Sequence, residues 1–198
     1  IAVFLLLSFW KNSTENYYSE IMKNDLTEGR MAFEKQLDIM CAGAFSVSND
    51  SDLKWVYFLD GLKDGDNNIA ALIRCNDMLR QTFADSEHYQ NYSVIMKNEL
   101  IFRKSGMVVG DKFFYDNYCT YQNTDFETWR KQSFESNTWQ LFPLEEIDTG
   151  ERTFQAMTFS YPVRNYIQQE PEANAVVQFL LSKENLEQMF GQLLSRQG

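Results

Sequence analysis

Residues 12–48 read NSTENYYSEIMKNDLTEGRMAFEKQLDIMCAGAFSVS, and this stretch decides the architecture. It holds no proline and only Gly29 before Gly43. Its apolar residues, Tyr17/Tyr18, Ile21/Met22, Leu26, Phe33, Leu37 and Met40, recur in steps of three, four and seven, the period of a helix face. The pattern predicts one helix of about ten turns, too long for a small domain core and suited to a stalk. Asn49, Asp50 and Ser51 supply the turn chemistry that ends it.

Upstream stands IAVFLLLSFW (1–10), apolar apart from Ser8, followed by Lys11. Ten helical residues reach about 15 Å, half a hydrocarbon core. The segment therefore reads as the outer end of a transmembrane helix, with Trp10 and Lys11 as interfacial anchors. A buried N-terminal element and a signal-peptide remnant are the alternatives. Residues 12–198 are strongly acidic, whereas cytoplasmic flanks of membrane spans collect Lys and Arg, so the bulk of the chain is expected outside the cell.

The 198 residues carry a net charge of −10, with 44% apolar and 23% charged residues, an ordinary globular balance. The acidity disfavours nucleic acid and anionic lipid headgroups as partners. Cys41, Cys75 and Cys119 form no CxxC pair, and His88 is the only histidine, so no zinc-ligand pattern exists and no metal or cofactor is expected. The cysteines read as buried thiols, or as one disulfide plus a free thiol. No triad, glycine-rich phosphate loop or P-loop is present. His88, in Ser-Glu-His-Tyr, reads as a solvated loop residue, and the acidic run Glu145, Glu146, Asp148 as a solvated turn. The expectation is that the chain is not an enzyme.

Beyond residue 49 the texture is mixed. Residues 51–61 read as a short helix. A second helix is expected from Asn67 or Asn68 to about Ala84, with Ile69, Leu72, Ile73, Met78 and Leu79 inward. Strands follow over 89–96, 100–102 and 107–110, the last two joined by Lys104-Ser105-Gly106. TDFETWRKQSFE (124–135) reads as a helix capped by Thr124 or Asp125, with Phe126, Trp129 and Phe134 inward. Strands at 139–144, 153–163 and 173–182 and a closing helix to about Leu194 complete an α+β chain with an antiparallel sheet.

This order, together with particular residues, resembles the extracytoplasmic Cache sensor domains of Gram-positive bacteria, above all those of membrane-anchored AraC-type transcriptional regulators. Leu100-Ile101-Phe102, followed by Gly110 and Phe113-Phe114-Tyr115, is similar to the family's strand and Tyr-rich loop. Trp129 stands where the family usually has a tryptophan. Phe159-Ser160-Tyr161-Pro162-Val163 and Val176–Ser182, running into Lys183-Glu184-Asn185-Leu186, resemble its last strands and final helix. The likeness covers essentially the whole chain. It implies a PAS-like sheet packed on a long N-terminal helix and holding a small extracellular ligand. It further implies parts outside these residues: a membrane-proximal module, a second span and a cytoplasmic helix-turn-helix effector. The Tyr, Arg, Trp and Asp pattern of the amino-acid-binding members is matched here only by Trp129-Arg130.

The organisation expected is thus a membrane segment at 1–10, a stalk helix over 11–48 and a Cache-like sensor over 49–198, on the outer side of a cell membrane. Aromatic rings with a few polar groups make small-ligand pockets. The candidate ligand-binding residues are Tyr115, Tyr118, Trp129, Arg130 and Tyr161, with Tyr121 beside them; Arg130 suits an anionic group. The expected partners are a small extracellular ligand, the membrane and, through the long helix, a second copy. A histidine kinase or chemoreceptor sensor, a surface interaction module and a secreted lipid- or sugar-processing enzyme are the competing readings.

Overall fold

A single helix, α1 (Ala2–Asn49), realises the stretch with which the sequence is most explicit. The computed structural model describes residues 2–56, 65–84, 89, 91–164 and 173–190. Residues 57–61 of the expected short helix, His88 and the end of the closing helix beyond Phe190 lie outside them, and the second helix starts at Gly65, ahead of the expected cap at Asn67 or Asn68. Among the described residues, no helix is long and apolar enough to cross a membrane. The chain divides into two units, residues 1–37 with 184–198, and residues 38–183.

In the first unit, Gly29 of α1 lies against the ring and backbone of Phe190, which follows α6 (Lys183–Met189). A Cβ at Gly29 would overlap that ring, so only glycine permits the approach. Phe33, one turn on, meets Phe190 with ring centroids 6.2 Å apart.

The second unit is built on seven antiparallel strands: β1 (Asn91–Met96), β2 (Leu100–Arg103), β3 (Gly106–Val109), β4 (Thr120–Tyr121), β5 (Gln140–Asp148), β6 (Thr153–Val163) and β7 (Ala175–Ser182). Their spatial order is β3-β2-β1-β7-β6-β5-β4, so β7 pairs with β1 in the middle of the sheet. All eight residues of β7 are buried, as a strand covered on both faces requires. The acidic run Glu145–Asp148 lies within β5, not in a turn. The strand runs further than expected because it bulges between Phe142 and Glu145, around Pro143, which has no N–H for the ladder. The turn itself falls at 149–152, where Thr149 N–H donates to the Arg152 carbonyl at 3.0 Å.

Alternation sends odd-numbered β6 and β7 residues to one face. There Phe179 meets Phe83 at 5.2 Å and Phe159 at 6.0 Å, and Phe83 packs on Gly43 of α1. Met40, Ala44 and Val47 of α1, Leu53 of α2 (Ser51–Val56), and Leu72, Cys75 and Leu79 of α3 (Gly65–Thr82) are buried in this half. Asp50 caps α2, its Oδ1 accepting from Leu53 N–H at 2.9 Å. Ile69 and Ile73, expected inward on α3, are 54% and 56% exposed. The buried stripe is Leu72, Cys75, Leu79 and Phe83, which puts Ile69 and Ile73 outside the contact arc.

The opposite sheet face carries α4 (Asp111–Tyr118) and α5 (Phe126–Glu135). The family resemblance led to a Tyr-rich loop at 113–115, but the segment is helical. Gly110, at φ 94°, turns the chain out of β3, and Phe114 N–H donates to its carbonyl at 2.9 Å. For α5 the cap is Asp125, whose Oδ1 accepts from Thr128 N–H at 2.8 Å.

Candidate ligand-binding site

Four ladder pairs place a chain of polar residues across the sheet. Arg103 of β2 stands opposite Ser93 of β1, Ser93 opposite Gln178 of β7, Gln178 opposite Ser160 of β6, and Ser160 opposite Gln140 of β5. Directly opposed residues share a face. The Gln178 amide fixes which face: its Nε2 donates to Ser133 Oγ on α5 at 2.9 Å. The row therefore lies beneath α4 and α5. With strands about 4.8 Å apart, it runs roughly 19 Å.

This arrangement is costly, because buried polar groups lose water and must regain partners. Arg103, Ser93, Gln178 and Ser160 are each at most 8% exposed. Gln178 Oε1, Gln140 Oε1 and Trp129 Nε1 are buried with no hydrogen-bond partner among the described residues. Leaving such a group unpaired costs about 1–3 kcal/mol. The sheet thus presents acceptors on Gln178 and Gln140, and α5 faces it with a donor on Trp129.

The cover over this row is aromatic. Tyr115 stacks on Tyr121 with centroids 6.3 Å apart and meets Trp129 at 5.4 Å and Phe126 at 5.7 Å. Its hydroxyl donates to the Thr124 carbonyl. Tyr121 and Thr158 hydroxyls are 3.0 Å apart. Two voids of about 10 Å³, each about one water in size, meet at Gln178. Arg103, Ser93, Tyr118 and Cys119 border the first, and Tyr121, Trp129, Ser133 and Glu145 the second. Glu145 is engaged by Asn123 N–H and Thr124 Oγ1, both at 3.1 Å.

Burial favours the neutral forms of Cys119, Tyr121 and Tyr115. It pushes the Cys119 thiol up to about 12 and Tyr121 well above its ordinary value, and it raises Tyr115. A thiol so raised is a poor nucleophile. All three cysteines are free thiols.

The sequence-derived candidates divide. Tyr115, Tyr118, Tyr121 and Trp129 converge above the row. Arg130 is engaged by Asp111, tying α5 to the start of α4, and its guanidinium lies 5.5 Å from the Phe134 ring. Tyr161 is separated from the others: it pairs with Val177 and so faces the side of the sheet that holds Phe159 and Phe179. Arg103, Ser93, Gln178, Ser160 and Gln140 were not singled out from the sequence. The signal was a polar residue inside an apolar strand, as in AVVQFLLS and LIFR.

No protein-family model matches the sequence, and no curated protein matches it. Solved structures do match its fold. One is the extracellular domain assigned to a histidine kinase, vpHK1S-Z8, with a TM-score of 0.58 and 11% identity over 91% of this chain and 62% of that one. Another is the periplasmic sensory domain of the Campylobacter jejuni chemoreceptor Tlp1, with a TM-score of 0.54 and 14% identity over 95% of this chain and 66% of that one. The chain accordingly spans less than two thirds of either structure. At these identities the likeness is one of fold: this chain has the α+β architecture, a long N-terminal helix with a curled antiparallel sheet, of extracellular and periplasmic sensor domains.

Proposed function

We propose that this chain is the extracytoplasmic sensory region of a membrane-anchored signalling protein, and that it binds a small molecule between the sheet and the α4–α5 cover. The polar row with its unpaired Gln178 and Trp129 atoms carries this reading. A domain that only needed a core would gain by apolar residues at those positions. The voids there are each about one water in size, so the α4–α5 cover must part to admit a ligand. One offering a donor to Gln178 and an acceptor to Trp129 then recovers the lost hydrogen bonds, and the rings supply contact area. In this reading the site binds and does not catalyse.

Residues 1–10 serve as the outer end of a membrane helix, α1 as the stalk and as a contact with a second copy, and the domain lies outside the cell. Ligand binding biases two arrangements of the domain, and that bias is what the rest of the protein reads. The output we favour is an AraC-type transcriptional regulator, on the family resemblance of the strands and final helix. A histidine kinase or chemoreceptor output is the second reading, favoured by the kinds of receptor to which the structural neighbours belong.

The test is a thermal-shift screen of sugars, amino acids and organic acids, because a ligand that binds only the folded state raises the melting point. The expected hit loses at least tenfold in affinity in Trp129→Phe, which keeps the ring packing and deletes the indole donor. A broad screen without any stabilising compound, or a hit indifferent to Trp129→Phe, counts against the site.

A further inference from the structure

Arg103 has a second side. Beyond the polar row it lines a groove of about 360 Å³ between the β2–β3 turn, with Lys104, and the β5–β6 turn, with Glu151 and Arg152; Asn91 and Phe154 complete its wall. Three cations and one carboxylate therefore meet in one concavity of a protein whose net charge is −10. Concentrated opposite charge in a cleft raises the local concentration of anions.

The state of Arg103 is the telling detail. Its side chain is 9% exposed, and its guanidinium carbon lies 3.9 Å from the centroid of the Tyr118 ring. Stacking takes the face of the guanidinium and leaves its edge, where the N–H donors lie. The ion pair it makes among the described residues is with Glu151, at 3.5 Å, longer than a good charged hydrogen bond. Glu151 is 77% exposed, so this pairing is cheap to break. A buried guanidinium needs a closer partner than that to offset its lost hydration. Arg152, 4.8 Å from the Phe154 ring, and Lys104 stand at the same groove.

We infer that this groove is an oxyanion site: Arg103 takes a carboxylate or phosphate group by its edge, Lys104 and Arg152 take further anionic oxygens, and Glu151 holds the place until the ligand displaces it. The groove volume suits a small metabolite with two or more negative charges. The inference stands on different residues from the donor and acceptor under α5, and it holds whether or not the inner voids take a ligand.

Isothermal titration at about 10 mM salt, where the Debye length is about 30 Å, tests it with inorganic phosphate and with succinate on the 198-residue chain. Saturable 1:1 binding of at least one probe is expected, and the stronger probe assigns the ligand chemistry. Lys104→Gln/Arg152→Gln, both at exposed positions, weakens binding at least tenfold. Glu151→Gln tightens it severalfold by removing the tethered competitor. Saturation by neither anion, unchanged binding in the double variant, or no gain in Glu151→Gln overturns the assignment.

Discussion

Replacing Gln178 with methionine isolates the tension in the site. The side chain has almost the same length, so packing is kept and the amide is lost. Two opposing terms follow from the structure. The hydrogen bond from Nε2 to Ser133 Oγ disappears, a loss of about 0.5–1.5 kcal/mol. The unpaired Oε1 disappears too, which removes a desolvation penalty of about 1–3 kcal/mol. Ser133 still donates to the Trp129 carbonyl at 2.7 Å, so its own hydroxyl proton is not orphaned. The balance favours the variant by about 1 kcal/mol. For a domain of roughly 150 residues that raises Tm by about 2–4 °C. Urea unfolding with an unchanged slope is the companion measurement. The same variant loses its thermal response to any ligand that stabilises the parent. Stability gained while response is lost marks a residue kept for binding. A variant less stable by 1 kcal/mol or more refutes the reasoning, because Gln178 would then be a satisfied part of the core.

Other expectations concern the frame around the site. Gly150→Ala costs at least about 2 kcal/mol in urea unfolding, since φ is 75° there and a Cβ would overlap the Asn117 carbonyl oxygen. Glu99→Gly stabilises by about 0.5–1 kcal/mol, because Glu99 sits at φ 66°, a conformation that glycine adopts without strain. Thiol labelling of the native protein at pH 8 reaches Cys41 first, because Cys75 and Cys119 are buried and both pushed up to about 12, mainly by burial. Those raised values make the protonated thiols favour the fold below the ordinary thiol value of about 9, and the contribution is lost as pH rises from there toward 12. The urea midpoint therefore falls between pH 8.5 and about 11, and an alkaline-stable midpoint would contradict the burial of these groups.

Helix periodicity made α1 legible, and period-two alternation made β6 legible to its end residues. What failed has identifiable causes. Residues 113–115 are three consecutive aromatics, poor local helix formers, and their helix depends on packing against Trp129 and Tyr121. On α3 the isoleucines drew the buried stripe toward themselves, although Cys75 and Phe83 were equally good members of a stripe at a neighbouring angle. The site was legible only by halves. Tyr115, Tyr118 and Trp129 are conspicuous as rings. Tyr161 shares a face with Phe159 by alternation, but which face was fixed only by the Gln178–Ser133 bond. The polar row could not be read from any one strand, because it exists only once five strands are in register.

The glycine at 150 has one more consequence. Because nothing larger than hydrogen fits between it and the Asn117 carbonyl, the β5–β6 turn sits directly against the last turn of α4. Tyr115 and Tyr118 ride on that helix, and Glu151 and Arg152 follow directly on that turn. Any shift of α4 towards that turn meets the turn's backbone at once and is passed on to the mouth of the groove.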